Sequence, residues 1–242
     1  MRQKRKNQLS IFLFILAFLL LAFYFLWPYV QEYREQDQLP NSISFLPEEP
    51  KEVAVSPIDF ASLLDINADT IAWITIPGTN IDGPVVQTDN NETYLKKNFR
   101  GEKSNGGAIY LDYECQPDMR GRHVIIYGHN FGRTGLFHDI VNYKKEDFWQ
   151  QNSKMTIYTP DREIHLQIIA CQVSASKPIY RKTQFADDTE WQSYVQDRLN
   201  ENRYENTIKA EEITQLYSFI TCSYEFDNAR TMIHAIEIPQ EK

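Results

Sequence analysis

Three cysteines and five histidines carry most of the nucleophilic and acid–base chemistry open to this chain. A thiol attacks a carbonyl only as the thiolate, so a catalytic cysteine needs a base or a cation beside it. Cys171 lies inside the apolar run Ile168-Ile169-Ala170-Cys171 and reads as a small buried hydrophobe. Cys115 follows Asp112-Tyr113-Glu114 in a loop with nothing nearby to activate the sulfur. Cys222 stands where the run Tyr217-Ser218-Phe219-Ile220-Thr221 ends. A strand end is where a side chain can face a cleft while the scaffold holds it rigid. No C-x-x-C pair occurs, which leaves a zinc ribbon or a thioredoxin-type redox pair without support. Outside the cytoplasm, an odd cysteine count leaves at least one thiol without a partner in the chain.

Four of the histidines suit structural roles. His123 and His165 fall within strand-like runs, His138 follows Phe137 at a helix start, and His234 lies in the last strand. His129 differs, because it ends the run Val124-Ile125-Ile126-Tyr127 through Gly128 and so emerges at a strand end, as Cys222 does. The segment Ser223 to Ala229 connects two strands and returns Arg230 beside Cys222 across a hairpin mouth. A fixed guanidinium there can bond a substrate carbonyl, or the oxyanion that forms on attack. Cys222, His129 and Arg230 are therefore the expected catalytic set: nucleophile, acid–base and oxyanion donor.

Strands must position these residues. Ile71 to Ile76 is rich in β-formers and stops at Pro77-Gly78-Thr79-Asn80; Ile81 to Gln87 resumes, with Gly83-Pro84 predicting a bend or an edge. Gly106-Gly107 leads into Ala108 to Leu111, and His123 to Tyr127 follows. Met155 to Tyr158 and Glu163 to Val173 predict a hairpin turning at Pro160-Asp161, and Leu216 to Thr221 and Arg230 to Ile238 predict two more strands. Helical spacing of Trp191, Tyr194, Val195 and Leu199 predicts one inserted helix over Asp188 to Tyr204. A short helix through Leu64 is expected to open the domain, with Ser56 as N-cap and Pro57 at the first helical position. The fold class is mainly β, a closed barrel with helical additions.

Length and charge set the frame. The 242 residues, 42% hydrophobic and 24% charged, exclude a fibrous repeat, a disordered tail and a disulfide-dense miniprotein. A net charge of −8 argues against general nucleic-acid binding, which needs a basic face. Arg2, Lys4, Arg5 and Lys6 nevertheless open the chain, and from Ile11 to Trp27 every residue is apolar or aromatic. Tyr24, Trp27 and Tyr29 end this stretch like interfacial anchors, where a cleaved signal would end in small residues. The expected organisation is a cytoplasmic basic tail at 1–8, a single membrane anchor at 9–30, a proline-bearing linker at 31–56 and a folded extracellular domain at 57–242.

Tyr127-Gly128-His129-Asn130, then Thr221-Cys222 at a strand end, then Arg230 opening the next strand, resembles the active site of sortases, membrane-anchored cysteine transpeptidases of Gram-positive surfaces. The flanking sequence is similar to class B. Pro84-Val85-Val86-Gln87, Asp89-Asn90, Tyr94-Leu95, Phe99-Arg100-Gly101, Gly107 to Tyr113 and Gly135-Leu136-Phe137 occur in order, from about residue 57 to the C-terminus. The inserted helix falls between the His and Cys strands, as in class B. The resemblance implies a barrel of about eight strands and no metal or organic cofactor. It further implies cleavage of a C-terminal sorting motif on secreted proteins through a Cys222 thioester. The acyl group would pass to an amine of a peptidoglycan cross-bridge or of a pilin Lys, with nucleic acid no partner. Asn90 or Asn91 would support His129, and Thr221 and Ser223 flank the nucleophile; some class B members carry an acid where Ser223 stands. A surface cysteine peptidase that releases free acid, or a non-catalytic adhesin with an idle Cys222, are the other classes open to the chain.

Overall fold

Runs such as Ala72-Trp73-Ile74 and Val124-Ile125-Ile126 pack well only on a pleated surface, and in the structure they are buried strand residues. The structure is a computed structural model that describes residues 15, 18, 20–27, 56–131, 136–205 and 207–239. The chain divides into two units, Met1–Pro40 and Asn41–Lys242. In the first, residues 20–27 are helical, and most of their apolar side chains are exposed. The basic tail at 1–8, much of the 9–30 anchor and nearly all of the 31–56 linker lie outside the described residues. Among the described residues no helix is long and apolar enough to cross a membrane.

The second unit contains eight strands: β1 (Thr70–Thr75), β2 (Asp82–Val86), β3 (Ile109–Leu111), β4 (His123–Tyr127), β5 (Lys154–Tyr158), β6 (Glu163–Ala175), β7 (Leu216–Cys222) and β8 (Ala229–Glu237). They close into a barrel in the order β1-β2-β3-β4-β7-β8-β6-β5, with β5 returning to β1. The pairs β2–β3 and β4–β7 are parallel, and the remaining pairs are antiparallel. Closure removes the open strand edges that invite aggregation. The interior is filled by Ile74, Leu111, Ile125, Phe137, Tyr217, Phe219 and Ile233, among others.

Among the described residues three α-helices lie on this frame: α1 (Phe60–Ile66), α2 (Glu146–Gln151) and α3 (Asp188–Asn200). The N-cap of α1 is Asp59, whose carboxylate accepts from Ser62 N at 3.1 Å; the expected cap, Ser56, instead accepts from Ile58 N at 3.3 Å. Helix α3 presents Trp191, Tyr194 and Val195 to Ile169, Ala170 and Leu216, and stops at Asn200, four residues before the expected end. Residues Asn202 and Tyr204 bind elsewhere: Asn202 Oδ1 accepts from Cys171 N, and Tyr204 stacks on Trp149 at 5.0 Å. The helix start expected at Phe137-His138 is a 3₁₀ turn, His138–Lys144, and helix α2 was absent from the expected elements, being too short to show a period. Pro84 is not at an edge in the expected sense, since β2 is internal. The β2–β3 ladder, however, starts at Val85, so the missing Pro84 N–H costs it no bond there.

Candidate active site

Neighbouring strands deliver the three expected catalytic residues to one rim. The parallel β4–β7 ladder pairs Tyr127 with Ile220, and two residues further along each strand stand His129 and Cys222. On the other side of β7, Cys222 pairs directly with Arg230 of β8. Adjacent strands lie about 4.8 Å apart, so Cys222 sits between the positions that bear the His129 imidazole and the Arg230 guanidinium. All three line one cleft of about 660 Å³, walled also by Asp89, Tyr110, Tyr127, Tyr180 and Arg181.

The three thiols now separate. Cys222 is partly exposed at the cleft, while Cys115 and Cys171 are buried. Burial pushes both of the latter up to about 12, which keeps them protonated. Cys115 also sits in a backbone pocket, 3.4 Å from both His123 O and Ile125 N.

His129 is oriented from an unexpected quarter. Its Nε2 lies 3.1 Å from the carbonyl oxygen of Leu95. A carbonyl only accepts, so Nε2 carries the proton and Nδ1 of the neutral ring is free to exchange one. Burial lowers the pKa of His129 below the ordinary value; the Leu95 bond opposes this and the charge of Arg230 adds to it. The ring rests on Gly107, whose φ is +66°. A Cβ there would come within 2.5 Å of Tyr94 O and 2.8 Å of His129 Cδ2, so only glycine leaves the imidazole its place.

The two candidate asparagines line the same cleft, and their hydrogen bonds run elsewhere. Asn90 Oδ1 accepts from Glu92 N and Thr93 N, both at 2.9 Å, and so caps the 3₁₀ turn Thr93–Leu95 that carries the His129-binding carbonyl. Asn91 Nδ2 donates to Asp112 Oδ2 at 2.9 Å, and its Oδ1 accepts from Tyr113 N. Thr221 is buried and donates to Gly128 O at 2.7 Å, whereas Ser223, just past the end of β7, lines a second groove with Asn130 and His138. Arg230 is partly buried, with Nη1 donating to Ala229 O at 2.9 Å.

Sequence reasoning missed the roles of Leu95 and Gly107 and a buried carboxylate bonded to the back of the cleft wall. Asp112, fully buried, accepts from Asn91, from Tyr127 OH at 2.8 Å, from Arg181 Nε at 3.3 Å and from Glu114 N at 3.0 Å. Together with burial, its charge pushes the Tyr127 hydroxyl well up, so that phenol remains a donor. The sequence signals for them were the runs Tyr94-Leu95 and Gly107 to Tyr113, which carry the resemblance without showing what Leu95, Gly107 or Asp112 does.

No protein-family model matches the chain. The solved structure of Clostridium perfringens sortase B is 30% identical, with a TM-score of 0.70, over 75% of this chain and 100% of that one. Listeria monocytogenes sortase B is 27% identical over 169 residues, which is 70% of this chain and 69% of the relative. A Staphylococcus aureus sortase B–substrate complex shares the fold at 24% identity and a TM-score of 0.68, over 75% of this chain and 85% of that one. Likeness that runs the full length of a sortase B, on the barrel that positions this cleft, is kinship: the chain belongs to the class B sortases, a family of cysteine transpeptidases.

Proposed function

We propose that this sortase cleaves a C-terminal sorting motif on secreted proteins through a thioester on Cys222 and passes the acyl group to an amine. The observation that carries the reading is the register of β4, β7 and β8, which sets Cys222 between His129 and Arg230. The Cys222 thiolate adds to the scissile carbonyl and its π electrons move to oxygen, where Arg230 donates hydrogen bonds to the oxyanion. When the tetrahedral adduct collapses, the C–N bond breaks and the imidazolium of His129 gives the Nδ1 proton to the departing amine. An incoming amine then adds to the thioester carbonyl, His129 takes its proton back, and the thiolate leaves. A peptidoglycan cross-bridge amine or a pilin Lys fits the second step, and water in its place would give hydrolysis. The S. aureus sortase B of the same fold has been solved with a substrate, which supports a substrate-binding reading for this fold.

We place the domain outside the cell, with residues 1–8 in the cytoplasm and 9–30 in the membrane. Protease added to cells stripped of their wall should digest the chain beyond residue 31; a soluble mature form starting near residue 30 would overturn that topology. The chemistry is tested by mixing the full-length chain with secreted proteins of its host and searching by mass spectrometry for a fragment on Cys222. Added triglycine should release that fragment as an amide-linked product. Free acid alone would make the protein a peptidase, and no adduct on a reactive Cys222 would leave it without this activity.

A further inference from the structure

Past the last paired residues of β4 and β7, side chains take over from the backbone in holding the two chains together. Gly128 N reaches Ile220 O at 3.3 Å, a long bond where the ladder frays. One residue further, Thr221 Oγ1 donates to Gly128 O at 2.7 Å. At the tip, Asn130 Nδ2 donates to the carbonyl oxygen of Cys222 at 3.0 Å. Because that carbonyl can only accept, the amide nitrogen of Asn130 must face it and the amide oxygen must face away. That oxygen lies 2.8 Å from Nδ1 of His138, which therefore carries a proton and donates. Asn130 is thus gripped at both ends. Asn130 and His138 line the groove of about 460 Å³ behind Cys222, and neither lines the cleft in front of it.

We propose that Asn130 is a positioning residue that holds Cys222 in register with His129, and that His138 acts through Asn130 by fixing its amide. Asn130 follows His129 directly in the chain, so its bond to the Cys222 carbonyl ties the base-bearing segment to the nucleophile-bearing one at a single rung. Without this tie the ends are held by the Thr221–Gly128 bond and by Tyr224 OH, which donates to Asn130 O at 3.3 Å, and among the described residues nothing else fixes the Cys222 carbonyl against the His129 segment. Misplacement of a reacting group by about 1 Å can cost about 10²-fold in rate. Because neither residue lines the cleft, loss of either should lower turnover and leave substrate affinity in place. The inference rests on the Cys222–His129 pair as the reacting groups, and the test separates the two claims.

The probe is iodoacetamide, and the readout is the rate of Cys222 alkylation in the full-length chain at about pH 5 relative to about pH 9, because an imidazolium beside the sulfur favours the thiolate and burial holds His129 below its ordinary value, so the ring is cationic only in acid. The His129→Ala variant should lose the low-pH reactivity, and Asn130→Ala should lower the ratio by about tenfold. His138→Leu should lower it as well, whereas His138→Asn, which can present a donor near the original Nδ1, should restore it at an equal melting temperature. Acting through one bond, Asn130→Ala and His138→Leu together should be no worse than Asn130→Ala alone. An Asn130→Ala variant with the wild-type ratio, beside a His129→Ala variant that has lost it, would overturn the positioning role and leave the catalytic pair standing. A His129→Ala variant with the wild-type ratio would overturn the pair itself.

Discussion

At the residue scale, the geometry asks more of Arg230 than positive charge. Arginine offers a planar fork of donors that can hold an oxyanion, while lysine offers a compact point charge. Arg230→Lys should therefore cost about 10²-fold or more in ligation rate, comparable to losing an oxyanion-hole donor. Melting curves should barely change, because the side chain is only partly buried at the cleft. A lysine variant near the wild-type rate would sink the directed role. The three thiols offer a second check. With Cys115 and Cys171 pushed up to about 12 by burial, native alkylation should mark Cys222 long before either. Equal labelling of all three, or a disulfide at Cys222, would remove it as the nucleophile.

At the scale of elements, Gly107 shows how a turn seats the imidazole of His129. Gly107→Ala should reduce activity at least tenfold, since the new methyl meets both Tyr94 O and the imidazole edge. Gly101, with φ of +79° and nothing within 4 Å of an added Cβ, is the control. Gly101→Ala should cost about 1 kcal/mol of stability through backbone strain and leave catalysis intact. Comparing the two variants by rate and by urea midpoint separates displacement of His129 from strain. The strand ends bearing His129 and Cys222 were legible because β-branched and aromatic runs stop there, and Arg230 because a hairpin returns it. The seat of His129 was not. Leu95 acts through its carbonyl, a group every residue carries, so no side chain announces it. The helix start was ambiguous because Ser56 and Asp59 are both good caps three residues apart; Asp59 holds both the N–H and the hydroxyl of Ser62 in the first turn, while Ser56 bonds only Ile58 N ahead of the helix. Asp112 read as a loop acid because its partners, Asn91, Tyr127 and Arg181, come from distant segments.

At the scale of the whole molecule, the barrel wall under α3 holds a polar chain that sets the acid limit of stability. His123 Nδ1 bonds Lys182 O at 2.8 Å, its Nε2 lies 2.6 Å from Ser218 Oγ, and that hydroxyl lies 2.7 Å from His234 Nδ1. Burial lowers His123 to about 4, and His234 well below its ordinary value, with the charge of Arg198 adding to both. Above the unfolded histidine value of about 6.5, both rings are neutral in both states and stability is full. As pH falls below that value the unfolded chain takes up protons that the folded one refuses, so stability declines toward pH 4. The urea midpoint should drop steadily between about pH 7 and pH 5, a window above most carboxylate titrations. A His123→Gln, His234→Gln double variant should show a flatter slope; an unchanged slope would assign the effect elsewhere. The parallel pairing of β4 with β7 has a further consequence, in time. Gly128 and Thr221 are 93 residues apart in the chain. Contacts of such sequence separation form slowly, because the loop entropy must be surrendered before the contact repays it. His129 and Cys222 therefore meet only when the barrel shuts, and on the proposed chemistry a chain still collapsing carries a sulfur no more reactive than a free cysteine. Reactivity at that one sulfur is a clock for the final step of folding.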